Sequence, residues 1–215
     1  MLIRNHYAQR IIFSVSVIGF ITLLIAFFMH NPFLSMLDNL TAQLTFEFLP
    51  KKWHLPLNSF FFFSHSVGVL LVIFLLCFFL WGFKYKIPAF WIFATSVISG
   101  ILVHLLNLFL RTENFGHTMQ MPTYGIFWAT LIYSYMVIFV IPAIQKFRYR
   151  LLSQLLLLIS WFLVFIANIF QDNTQFSGML TGILFALICL ETFEILYVKQ
   201  APFYAKMNGF KNSWY

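Results

Sequence analysis

Charge is what this sequence has least of. Asp, Glu, Lys and Arg make up 9% of its 215 residues, against roughly 25% in a soluble domain. So few charges cannot build a water-facing shell, which excludes a soluble globular protein and leaves a surface that faces lipid. Cysteine is nearly absent too. Cys77 and Cys189 both sit inside apolar runs, which argues against a disulfide framework or a thiolate metal centre and makes them small hydrophobes. H-E-x-x-H, C-x-x-C and Walker loops are missing as well, so neither a metal nor another cofactor is expected.

What remains is apolar. Hydrophobic residues reach 61%, phenylalanine alone occurs 30 times, and the mean hydropathy is +0.87. The net charge of +7 could suggest nucleic acid, but the cations gather in short connections, as the positive-inside rule expects of a membrane protein. Nucleic acid is therefore not an expected partner.

A membrane-spanning helix needs about 20 apolar residues. Six stretches qualify: Ile11–Met29, Ser59–Phe83, Pro88–Leu110, Tyr124–Ile144, Leu151–Phe170 and Ser177–Val198. The first follows Arg4 and Arg10, is longer than a signal-peptide core and precedes no small-x-small cleavage site, so it reads as a retained helix. Residues 1–215 form one membrane domain, an all-α six-helix bundle. Within residues 33–50, Phe33, Leu34, Leu37, Leu40, Leu44 and Phe48 recur at helical spacing among Asp38, Asn39, Gln43 and Glu47. Such a segment either lies in the interface as an amphipathic helix or packs across the mouth of the bundle.

The Lys/Arg distribution sets the orientation. Ten of the thirteen cations fall on the side of the two termini, in the N-terminal segment, the second-to-third and fourth-to-fifth loops and the tail. The opposite side holds only Lys51, Lys52 and Arg111. Both termini are expected in the cytoplasm, and the short chain leans towards a bacterial plasma membrane. Ser96-x-x-x-Gly100 and Gly178-x-x-x-Gly182 match the small-xxx-small pattern of close helix contacts, within the bundle or at a homodimer seam.

Ionisable groups at membrane depth are costly and need a reason. His104, Asn107 and Arg111 share one face of the third helix at spacings of three and four, and approach the outer side. Asn168 and Asp172 close the fifth helix on that side, and His117 lies in the neighbouring loop. Together they could line an outer pocket for lipid headgroups; alternatively they are helix-end groups meeting water, with His104 bonded inside the bundle. Glu191 and Glu194, in the inner half of the sixth helix, fit proton- or cation-coupled transport or plain interhelical bonding. Ser64-His65 lacks a third partner and is weak evidence for a nucleophile and base.

This outer cluster carries a resemblance. The chain resembles the type 2 phosphatidic acid phosphatase superfamily of six-helix membrane proteins over roughly residues 57 to 198, in helix order and loop side. The likeness is most visible in the run Pro122-Thr123-Tyr124-Gly125 with the helix that follows, and in the helix leading to Asn107. The family carries K-x6-R-P after its third helix, P-S-G-H before its fourth and S-R-x5-H-x3-D between its fifth and sixth. The first motif's Lys, Arg and Pro fall on Asn107, Asn114 and Phe115. The second falls on Pro122, Thr123, Tyr124 and Gly125, and the third has Ala167, Asn168, Thr174 and Gly178 at its positions. Only Pro122 is identical.

The resemblance implies a site where Lys and Arg hold phosphate through charged donors, one His attacks phosphorus with an Asp orienting it, and a second His protonates the leaving group. Here those positions hold Asn, Thr and Gly, which bring neither cation nor imidazole. The expectation is a degenerate member that grips but does not cut. Its partners would be membrane lipids, with a phospholipid or polyprenyl-phosphate headgroup, a partner membrane protein or a second copy of itself. The alternatives are an active lipid-phosphate or polyprenyl-diphosphate phosphatase using residues such as Arg111, His117 and Asp172, and a small transporter working through Glu191 and Glu194.

Overall fold

The computed structural model describes residues 6–48, 65–110, 112–114, 117–119, 121–169, 175–207, 210 and 213. Among the described residues seven α-helices run in order: α1 (His6–Phe28), α2 (Pro32–Phe48), α3 (Ser66–Gly82), α4 (Lys86–Phe109), α5 (Tyr124–Tyr135), α6 (Phe147–Ile169) and α7 (Phe176–Tyr204). Between α4 and α5 lies a small antiparallel hairpin, β1 (Thr112–Asn114) and β2 (His117–Met119), in which Asn114 stands opposite His117. These are the only strands among the described residues. The Ser59–Phe83 apolar run begins outside them.

Among the described residues five helical segments are long and apolar enough to cross a membrane: Gln9–Phe28, Lys86–Phe109, Tyr124–Ala143, Phe147–Ile169 and Phe176–Tyr204. A sixth, Val67–Gly82, is equally apolar but shorter. Large side chains such as Phe74, Phe93, Phe109 and Leu158 stand more than half exposed. In water this would be an aggregating surface, whereas in a bilayer it is the contact with lipid. The protein is a multi-pass helical membrane bundle.

The interior is organised around α7, which packs against α1, α2, α4 and α5 and meets α6 through the Phe165 and Phe176 rings. Rings fix the depth of the central helices. Phe185 of α7 stacks on Phe20 of α1 at 5.5 Å and on Phe127 of α5 at 5.6 Å between centroids. Close approach also needs small residues. A Cβ on Gly182 of α7 would stand 2.7 Å from Ile126 Cγ2 and 3.0 Å from the Thr123 carbonyl, so α5 and α7 meet there backbone to backbone. Gly100 leaves room for the Trp128 ring in the same way, at 3.1 Å. Both members of the small-xxx-small pair Ser96 and Gly100 face the interior or a ring within the same chain, so they serve packing inside the bundle.

Antiparallel packing gathers the connections at two ends. Trp91 Nε1 donates to the Phe193 carbonyl and the Ile87 amide donates to Ser213 Oγ, so the start of α4 and the end of α7 share one end. The loops near Lys84 and Lys146 lie at that end as well, and it is called the basic end below. At the opposite end the last turns of α4 and α6 meet the first turns of α5 and α7.

One helix is irregular. α5 passes into a π turn at Met136–Val140 and a 3-10 turn at Ile141–Ala143. Pro142 has no amide hydrogen, and its ring crowds the carbonyl four residues back, so the regular ladder cannot continue through it. Ile138 and Pro142 border two hollows, one on each side of α5.

Candidate functional site

At the end opposite the basic loops, polar side chains fasten helix to helix. Asn107, in the last turn of α4, donates from Nδ2 to the Pro122 carbonyl at 2.8 Å. One turn earlier, His104 Nδ1 and the Tyr124 hydroxyl share a hydrogen bond at 2.9 Å. The spacing of three residues aims both groups at the turn that opens α5. His104 is exposed on the outside of the bundle, not enclosed within it.

The same turn is tied to α7. The Thr123 amide donates to the Gly178 carbonyl at 3.0 Å, and Thr181 Oγ1 donates to that carbonyl at 2.9 Å. Thr123, Gly125 and Gly178 are all buried. Asn168 of α6 is 1% exposed and donates from Nδ2 to Val164 of its own helix at 2.8 Å. Antiparallel pairing of α5 with α6 is marked by Trp161 Nε1 donating to Thr130 Oγ1 at 3.2 Å. It puts Asn168 at about the depth of Thr123.

A further fastener comes from α2. Asp38 accepts the Ser177 amide at Oδ1 and the Ser177 hydroxyl at Oδ2, both at 2.8 Å. The N-cap of α7 is Gln175, whose side chain makes no capping bond. A carboxylate on another helix thus satisfies first-turn donors that a helix leaves open, with the sign that suits the helix dipole. Burial pushes the Asp38 carboxyl above its usual range, against the pull of the bonds from Ser177 and the Phe176 amide.

The residues singled out by the sequence therefore distribute as follows. Asn107, Thr123 and Gly178 come together at one end through the turn at Pro122, with His104 beside them. Asn114 and His117 face each other across the hairpin that follows α4. Arg111, Asp172 and Thr174 lie outside the described residues. Among the described residues no three His, Cys, Asp or Glu side chains converge as a metal would require.

The basic end holds the hollows. A groove of about 900 Å³ lies between the irregular end of α5, the first two-thirds of α6 and α7. On the other side, a cavity of about 710 Å³ is bordered by α4, α5 and α7, with Trp91, Phe139, Tyr197 and Glu194 on its walls. Thr95 and Tyr135 share a buried 2.8 Å hydrogen bond at that cavity's edge. Glu191, one turn from Glu194, is wholly buried.

Sequence reasoning did not pair Asp38 with Ser177, or Tyr124 with His104. The available signal was thin: a lone carboxylate in an amphipathic segment, and a polar ring one residue into a helix. No family model, curated protein or solved structure matches the chain.

Proposed function

We propose that the chain is a non-catalytic membrane protein, similar to the phosphatidate phosphatases in helix order, that binds a lipid headgroup or a membrane partner at the end away from its termini. One observation carries the reading. The groups at the motif positions serve as fasteners: Asn107 holds the Pro122 carbonyl and the Thr123 amide holds the Gly178 carbonyl. Phosphoryl transfer at such a site needs cations to hold a charged phosphate and an imidazole to attack it. Asn, Thr and Gly supply neither. Removing one member of such a unit takes away most of the rate, and removing all of them takes away the mechanism.

Headgroup or partner contact then falls to the polar connections of that end, where Arg111, Asn114 and His117 follow α4 and Asp172 follows α6. The bias of ten of thirteen cations towards the side of the termini supports an orientation with both ends in the cytoplasm. Labelling of a cysteine placed in the tail, from outside intact cells, would reverse that orientation. The binding test uses purified protein in nanodiscs containing phosphatidate or a polyprenyl phosphate. Selective retention of that lipid, weakened by His117→Ala, supports the reading. Equal retention of neutral and phosphorylated lipid contradicts it.

A second reading rests on a separate observation. Glu191 is wholly buried at membrane depth, beside a cavity that Glu194 lines, and intramembrane carboxylates commonly mark ion or proton paths. In proteoliposomes holding a pH-sensitive dye, a proton flux lost in Glu191→Gln would favour transport. A flux indistinguishable from empty vesicles removes that reading.

A further inference from the structure

The groove between α5 and α6 has the form of a site for one lipid chain with a charged head. α6 buries only Val164, Ala167 and Asn168, all near its far end. No residue in its first two-thirds is buried, and the facing wall there carries the π and 3-10 turns before and at Pro142. The opening that remains runs along α6 from Arg150 to Trp161. That distance is about 16 Å by helical rise, half of a hydrocarbon core roughly 30 Å thick. The groove is therefore one leaflet deep.

Its chemistry changes along that length. The walls towards mid-membrane are apolar, formed by Val137, Leu157, Leu158, Ile183 and Leu187. Among them stand Tyr133 and Ser134, and at the deep end Trp161 donates to Thr130 Oγ1, which itself donates to the Ile126 carbonyl. At the mouth stand Arg150 and, one turn on, Gln154, on one helical face. Lys146 and Arg148 precede them, all exposed. No residue lining the groove is acidic.

We propose that this groove binds an anionic phospholipid of the leaflet at the basic end, with one acyl chain between α5 and α6 and its phosphate on Arg150. A guanidinium grips a phosphate through two parallel donors, and Gln154 can donate to an ester or phosphate oxygen beside it. Lys146 and Arg148 add attraction for the anionic surface without fixing geometry. The occupant is a lipid rather than a second protein helix because the cation sits at headgroup depth, over a channel the length of one chain. This site lies across the membrane from the headgroup surface proposed above and stands independently of it.

The test uses the full chain in nanodiscs of phosphatidylcholine doped with brominated-chain phosphatidylglycerol, or with brominated-chain phosphatidylcholine at the same fraction. Bromine on a chain quenches a tryptophan it touches. The Trp161 signal is the difference between the protein and Trp161→Phe. Quenching should favour phosphatidylglycerol about fivefold, the effect of one cation near an anionic headgroup. Arg150→Gln should erase the preference and Arg150→Lys should retain part of it. Ser134→Phe, which fills part of the groove without adding a tryptophan, should lower quenching by both lipids. Native mass spectrometry of retained lipid gives a readout independent of Trp161, with phosphatidylglycerol held by the protein and lost in Arg150→Gln. Equal quenching by the two lipids, or a preference untouched by Arg150→Gln, would overturn the proposal. So would a disulfide linking two copies through Leu158→Cys in high yield, since a second α6 would then occupy the groove.

Discussion

Asp38 of α2 grips Ser177 of α7 with both carboxylate oxygens, each at 2.8 Å. This bond joins a helix outside the membrane-spanning set to the first turn of the one at the centre of the bundle. Replacing Asp38 with Ala leaves the first-turn donors of α7 open, and loss of a cap costs about 1 kcal/mol. Asp38→Ala should lower the unfolding midpoint in detergent and speed proteolysis within α2. An unchanged midpoint and cleavage rate would show that α2 docks by its apolar face alone.

The carboxyl also sets a pH dependence. Burial raises its folded-state pKa above the unfolded value, which is about 4. Its contribution is then complete below the unfolded value and fades as pH rises through the folded one. The midpoint of the protein relative to Asp38→Asn should fall as the medium goes from acid towards neutral, then level off. A relative midpoint that rises over the same range would mean that the bonds from Ser177 and Phe176 outweigh burial.

Gly182 tests the close approach of α5 and α7. A methyl there meets Ile126 Cγ2 at 2.7 Å and the Thr123 carbonyl at 3.0 Å. Backbone cannot move aside cheaply, and Ile126 is stiff at its branched carbon. Gly182→Ala should destabilise by about 1–3 kcal/mol, as overpacking does. Gly82→Ala, where an added carbon meets nothing within 4 Å, is the control and should leave the midpoint unchanged. Equal midpoints for the two variants would remove the contact from the account.

How much of this could be read from the chain depends on the kind of signal. The helical membrane class follows from long apolar runs and scarce charge. The run Pro88–Leu110 overlaps Lys86–Phe109 almost end to end, because lipid leaves a backbone no partner but its own ladder. Gly182 was visible as half of a small-xxx-small pair. Pro142 was visible too, inside an apolar stretch read as continuous, and a proline at that place marks a break. What stayed hidden were relations between distant positions. Ser177 lies 139 residues from Asp38, and no local period records which helix a carboxylate will meet. Arg150 read as one more cation in a basic loop; only the opening of α6 away from α5 gives it a groove.

His104 and Tyr124 offer a direct measure of the fasteners at the far end. Their hydrogen bond is 2.9 Å long, and interhelical bonds in membranes average about 0.6 kcal/mol in double-mutant cycles. A cycle of His104→Phe and Tyr124→Phe, read by detergent unfolding, should give coupling near that size and leave lipid retention intact. Strictly additive effects would mean the two rings do not hold one another in solution.

The most direct measurement is phosphate release from phosphatidate, diacylglycerol pyrophosphate and a polyprenyl diphosphate by purified protein under single-turnover conditions, from acid to alkaline pH. Because Asn107 and the Thr123 amide spend their hydrogen bonds on Pro122 and Gly178, the expected release equals that of a protein-free control for every substrate. Release above the control that tracks the protein through purification and disappears in Asn107→Leu would contradict the account, since the fasteners would then be reacting groups.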